Sequence, residues 1–259
     1  MAKGWAKFPY QDKTFQYTAA TLKKAWPELH RGDAEPWPKD EAVLDAWIAF
    51  HAGDFQKAHE LGLAAGGAGI TVANKAQAIY ATYLEDNEAR RLETFEKVAA
   101  RALEQQATDP KNPNAYYWQA YALGRYAQGI SVAKALAAGI GGKVKSALDT
   151  AIKLQPKHAD AQVASGAWHA EIIDKVGAMM GGLTYGAKKD LALKHYEAAL
   201  RLNPGSAIAK VEFANGLVML EGKKALARAE ELYGEAAATE PRDSMEKLDV
   251  ELARAELED

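Results

Sequence analysis

Six histidines, His30, His51, His59, His158, His169 and His195, are the side chains in this sequence best suited to metal or acid–base chemistry. A zinc hydrolase needs two histidines one helical turn apart, as in HExxH, and a third ligand beyond them. His169-Ala170-Glu171 with Asp174 gathers polar groups within two turns, but it has neither that spacing nor a second ligand pair. No GxSxG turn exposes a serine nucleophile. The chain has no cysteine, which removes thiolate nucleophiles, disulfides and thiolate metal sites. Gly139-Ile140-Gly141-Gly142-Lys143-Val144-Lys145-Ser146 gathers glycines and lysines as a phosphate-binding loop would. However, Lys143 is followed by valine rather than Ser or Thr, and no strand precedes it. This segment is expected to be a turn between two long helices with its lysines in solvent. A non-catalytic chain without metal or cofactor is the expectation.

Gly177-Ala178-Met179-Met180-Gly181-Gly182-Leu183-Thr184-Tyr185-Gly186 has no catalytic chemistry but an unusual surface chemistry. Methionine and glycine together suit an adaptable apolar surface, so Met179, Met180, Leu183 and Tyr185 are candidates for holding a hydrophobic ligand. The alternative is that the stretch only closes a gap against a neighbouring helix.

These segments must be positioned by helices. Ala147-Leu148-Asp149-Thr150-Ala151-Ile152-Lys153-Leu154-Gln155-Pro156 is echoed by His195-Tyr196-Glu197-Ala198-Ala199-Leu200-Arg201-Leu202-Asn203-Pro204. A worn copy ends at Pro241 and a weaker one at Pro110. Helix endings repeated in this way indicate a stacked, quasi-one-dimensional array. Helices are predicted over 16–30, with a kink or break at Pro27, and over 40–50, 55–65, 71–85 and 87–108. New helices begin just after the prolines, at Asn114, Ala159 and Ala207. Residues 128–142 and 174–186 are extra material between paired helices. Residues 1–38 form an arm and capping helix, 39–241 a solenoid of about five helix pairs, and 242–259 a C-terminal capping helix with one face in solvent.

The residues at these repeats resemble the tetratricopeptide family. Trp118, Ala122, Leu148, Ala151 and Pro156 fit one unit, and Gly166, Ala192, Tyr196, Ala199 and Pro204 fit the next. Ala214, Ala229, Tyr233, Ala236 and Pro241 fit a third. Lengthened first helices, the Ala-Ile-Lys-Leu-Gln-Pro ending and an acidic last helix resemble the branch that includes regulator-of-microtubule-dynamics proteins. The widened interhelical segments are also similar to the tetratricopeptide component associated with some TRAP transporters. The resemblance implies an all-α, right-handed solenoid of helical hairpins with lengthened helices, and no catalytic residues. It also implies a concave face lined by the first helix of each pair. Mapped onto this chain, that face carries Val43, Trp47 and Phe50, then Tyr116, Gln119, Leu123 and Tyr126. Val163, Ala167 and Glu171 follow, and then Val211, Asn215 and Val218.

Charge and hydropathy set the remaining expectations. The 259 residues carry a net charge of −3, with 48% hydrophobic and 26% charged residues. This balance gives no concentrated basic face for nucleic acid. There is no signal-like start and no apolar run of spanning length. A cytoplasmic scaffold is expected, binding a peptide or helix segment in the concave groove, with no nucleic-acid or membrane partner. Alternatives are a hydrophobic small molecule or lipid held by the interhelical segments, and a homo-oligomeric building block.

Overall fold

A computed structural model describes residues 4–258, which form helices joined by turns. The helices are α1 (Ala19–Leu29), α2 (Glu41–His51), α3 (Phe55–Ala65), α4 (Gly69–Tyr83), α5 (Glu88–Thr108), α6 (Pro113–Gln128) and α7 (Val132–Ala137). They continue as α8 (Ile140–Leu154), α9 (Ala159–Val176), α10 (Ala178–Tyr185), α11 (Lys189–Leu202), α12 (Ala207–Glu221), α13 (Leu226–Ala237) and α14 (Ser244–Glu256). Short side chains fix many starts by accepting from free N–H groups of the first turn. Asp40, Asp54, Asn87, Asn112, Ser206 and Asp243 do so for α2, α3, α5, α6, α12 and α14.

The helices pack as hairpins: α2 on α3, α4 on α5, α6 on α8, α9 on α11 and α12 on α13. Consecutive hairpins also touch, as in α3 on α4, α5 on α6 and α9 on α12. The fold is an all-α helical-hairpin solenoid. The inserted segments fold as separate short helices, α7 and α10, rather than lengthening α6 and α9. At Gly177 the backbone turns to φ +84° and ends α9, a conformation in which a side chain would be strained. Two further expectations are corrected. Helix α1 runs without a break through Pro27 to Leu29, since the proline costs it the single bond to the Lys23 carbonyl and the Trp26 carbonyl still accepts from the His30 N–H. Of the glycine-lysine segment only Gly139 is the turn, at φ +62°, and Ile140–Ser146 already belong to α8.

The first three residues of the N-terminal arm lie outside the described residues. The rest of it runs across the first hairpins. Trp5 stacks on Tyr80 at 4.3 Å between ring centroids, and Phe8 packs edge-on against Phe55. Gly53, at φ +85°, makes the tight turn under this arm, and a Cβ there would lie 2.6 Å from the Phe8 ring.

Each end of the array meets the other. The Tyr17 hydroxyl donates to the Arg242 carbonyl at 2.8 Å, and the Ser244 hydroxyl donates to the Phe50 carbonyl at 2.9 Å. Arg242 reaches Glu28 at 3.2 Å. Helix α14 therefore packs on α2 as well as on α12 and α13, and it buries polar Ser244 and Asp249 together with Leu248 and Val250. Towards its end Arg254, Ala255 and Glu256 are exposed.

Tyr196 shows how closely neighbouring hairpins approach. It is fully buried between α9 and α12, and a Cβ on Gly216 would fall 2.5 Å from its hydroxyl oxygen. That hydroxyl has no hydrogen-bond partner among the described residues. Gly216→Ala is expected to destabilise the fold by about 1–3 kcal/mol through overpacking, whereas Gly205→Ala, which meets open space, should be near neutral. Urea denaturation of the two variants checks this; equal midpoints would contradict the close packing.

Candidate functional site

The inner faces of the first helices enclose a central cavity of about 370 Å³. Tyr117, Tyr121, Arg125 and Gln128 of α6 project into it, and so do Ala164, Ala167, Trp168 and Ile172 of α9. Ile208, Glu212 and Met219 of α12 form a further wall, and Tyr83 of α4 faces Met245 and Asp249 of α14 across the closed ends. The inserted segments complete it, with Val132, Ala135 and Leu136 from α7, Ile140 and Val144 from α8, and Tyr185 from the end of α10.

Of the residues mapped to the concave face, Val163, Ala167 and Glu171 of α9 line this cavity, together with Tyr185 from the glycine-rich segment. Val43, Trp47 and Phe50 are buried in the core, where Trp47 meets Trp26 and His30 edge-on. They offer no surface to a partner, and the Lys75 chain lies over the Trp47 and Phe50 rings. Tyr116, Gln119, Leu123 and Tyr126 occupy other sides of α6. Gln119 accepts from Gln106 of α5, the Tyr116 hydroxyl donates to the Pro110 carbonyl, and Tyr126 is turned towards Glu96. Val211 is buried with Ala236 and Val250, Val218 packs beside Leu232, and Asn215 accepts from the Tyr233 hydroxyl. Met179 and Leu183 are 81% and 83% exposed, with Met180 half exposed beside them. They form an apolar lip outside the cavity.

Polar groups in the cavity wall are few. Arg125 pairs with Glu212 at 2.8 Å and lies over the Tyr121 ring. Gln128 donates to Glu171 at 2.5 Å. Asp249 accepts from the Tyr83 hydroxyl at 2.5 Å. Burial pushes the Asp249 carboxyl up to about 8, and burial with the nearby Asp33 charge raises Asp160 to about 7.

Behind the cavity lies a buried polar cluster that the sequence did not reveal. Lys75 donates to Asp33 at 2.6 Å, and His30 contacts the other Asp33 oxygen at 2.9 Å. His30 also meets His51 at 3.3 Å, and His51 meets Asp243 at 2.6 Å. Asn114 donates to the Asp33 carbonyl and to Glu35, and its own oxygen faces His158 at 2.9 Å. Burial alone would raise the Asp33 carboxyl, but His30 and Lys75 hold it well below the usual carboxylate range. Burial lowers His30 and His158 to about 4 and raises Glu35 to about 8. Three of the six histidines thus serve packing. The others also bond locally: His59 to the Ala73 carbonyl, His195 to Gln162, and His169 to the Lys188 N–H. Among the described residues, no three potential ligands cluster for a metal.

Residues 71–258 match the family described as Regulator of microtubule dynamics protein 1-3. The chain belongs to that family. Its fold is also similar to that of a thermophilic TPR protein of Thermus thermophilus. The TM-score is 0.58 at 14% identity, over 83% of this chain and 97% of that one. At that identity the likeness shows the fold alone, a tetratricopeptide-like array. No curated protein sequence matches this one. No described helix is long and apolar enough to cross a membrane.

The raised carboxyls give a signed pH dependence. Folded Asp249, Asp160 and Glu35 keep protons that the unfolded chain has lost above roughly pH 4. Stability therefore falls as pH rises towards their folded values. His30 and His158 act in the opposite sense, but only between about 4 and the unfolded histidine value near 6.5. From pH 6.5 to 8 the carboxyls dominate. Urea midpoints are expected to drop over that window, and Asp249→Asn should flatten the drop. An equally steep drop in the variant would remove Asp249 as a contributor.

Proposed function

We infer that this chain is a non-catalytic binding scaffold that holds an apolar ligand, a hydrophobic small molecule or lipid-like chain, in its central cavity. The cavity itself carries this reading: about 370 Å³ of space walled mainly by aromatic and aliphatic side chains. Such a volume is typical of small-molecule sites, in which a few polar groups orient the ligand. Because the ends of the array meet, the concave face is a pocket rather than an open trough. The inserted segments that set this chain apart from a plain repeat supply part of its wall. The non-catalytic part of the reading draws on the fold and family, whose usual role is to hold other molecules.

A second reading is favoured by a different observation. The Met179, Met180 and Leu183 lip is exposed on a short helix, where water contact with large apolar groups is unfavourable. A segment of a partner protein packing there would cover it, as the interaction role common among tetratricopeptide arrays would suggest.

Filling the cavity separates the two. Ala167→Phe is expected to abolish uptake of the neutral fluorophore N-phenyl-1-naphthylamine while the far-ultraviolet circular dichroism stays unchanged. Met179→Ser with Leu183→Ser should leave that uptake intact. Uptake that survives Ala167→Phe would sink the cavity reading. Native mass spectrometry of the protein purified from its host would then show whether any small molecule travels with it.

A further inference from the structure

The cavity is not uniformly apolar, and the arrangement of its polar groups restricts the ligand. Along α9 its wall passes from Asp160 in the first turn to Ala164, Trp168 and Ile172. The apolar walls of α7 and α8 adjoin the later part. Its charged groups are Asp160, Glu171, Glu212, Asp249, Arg125 and Lys175. Two of the four carboxylates already have partners, since Glu212 is neutralised by Arg125 and Glu171 accepts from Gln128. Lys175 is engaged as well, pairing with Asp174 at 2.9 Å.

Asp249 and Asp160 are different. Asp249 is 3% exposed and uses Oδ1 for the Tyr83 hydroxyl, yet no hydrogen bond among the described residues reaches its Oδ2. Asp160 is partly buried and its carboxylate accepts no hydrogen bond from any described residue; Lys75 draws on it only from a distance, being paired with Asp33, and no described cation lies within ion-pair distance of either carboxylate. Glu246, Asp243 and Asp160 add negative charge around Asp249. A buried carboxyl left without a counter-charge is costly when ionised. A ligand that brings a positive charge removes that cost.

We propose that the ligand carries a cationic head, an ammonium or related organic cation, seated against Asp249 and Asp160, with its apolar tail running towards α7 and α8. This rests on the cavity reading above and adds the chemical class of the head. Tyr83, Tyr117 and Tyr121 stand in the same part of the wall, and aromatic faces attract cations. A fatty-acid carboxylate would meet like charges in this position. Seating an ammonium there would displace the protons that burial holds on Asp249 and Asp160.

Isothermal titration with three probes of equal tail length tests this: n-octylamine, 1-octanol and octanoate. Octylamine should bind at least tenfold more tightly than octanol, and octanoate more weakly than octanol. Its affinity should rise from pH 6 to 8 as the carboxyls ionise, while that of octanol stays flat. Asp249→Asn, which keeps an acceptor for Tyr83, should erase the preference for the amine over octanol. Asp160→Asn gives a second reading of the same preference should the first variant fold poorly. Equal binding of amine and alcohol by the native protein would overturn the cationic head while leaving the cavity reading standing. Failure of all three probes to bind would overturn both.

Discussion

Lys75 and Asp33, 2.6 Å apart and both almost wholly buried, form the contact on which the arrangement depends. Neither charge can be left alone in the interior, since an unpaired buried ion costs several kcal/mol. The pair is therefore surrounded by groups from well-separated parts of the chain. His30 comes from the end of α1, His51 from α2, Asn114 from α6, His158 from the start of α9, and Asp243 from the cap of α14. Apolar packing tolerates small slips between helices, whereas a directional network of this kind does not. It ties α2, α4, α6, the start of α9 and the start of α14 to one another.

That fixed geometry shapes the cavity. Asp243 is both the N-cap of α14 and the partner of His51. The same contact that starts the last helix also docks it against the second. Docking brings Met245 and Asp249 over the concave face and places Tyr83 opposite them. Binding surface and structural network thus share residues or immediate neighbours, as with Asp160 two positions after His158.

Much of the fold was legible because its signals are local. Endings at Pro156, Pro204 and Pro241, and starts at Ala159 and Ala207, follow from proline geometry and helix periodicity within a few residues. The cavity was less legible. One residue along a helix is a rotation of about 100°, and Tyr116-Tyr117-Trp118 are all aromatic, so composition gave no clue to which faces inward. Mapping a consensus onto α6 selected Tyr116, Gln119, Leu123 and Tyr126, while Tyr117, Tyr121, Arg125 and Gln128 line the space. At Trp47 and Phe50 the repeat pattern does not show that Trp26 and His30 close over the indole and that the Lys75 chain lies over both rings. On α9 the same mapping selected Val163, Ala167 and Glu171, which do line the space, and Tyr185 closes the glycine-rich segment singled out for its apolar character. The buried cluster has no sequence signature at all: His51 and Asp243 are separated by 192 positions, and each alone looks like an ordinary surface residue.

Meeting of the two ends also changes how such an array comes apart. In an open stack each unit touches only its neighbours, so terminal units fray first and the middle can outlast them. Here the last helix leans on the second, and loosening either end exposes the same interior charges. Neither α1 nor α14 is a loose end unit from which unravelling can creep inward, and the two are bound to open together, with the protection of their amides against solvent exchange tied to a single shared event.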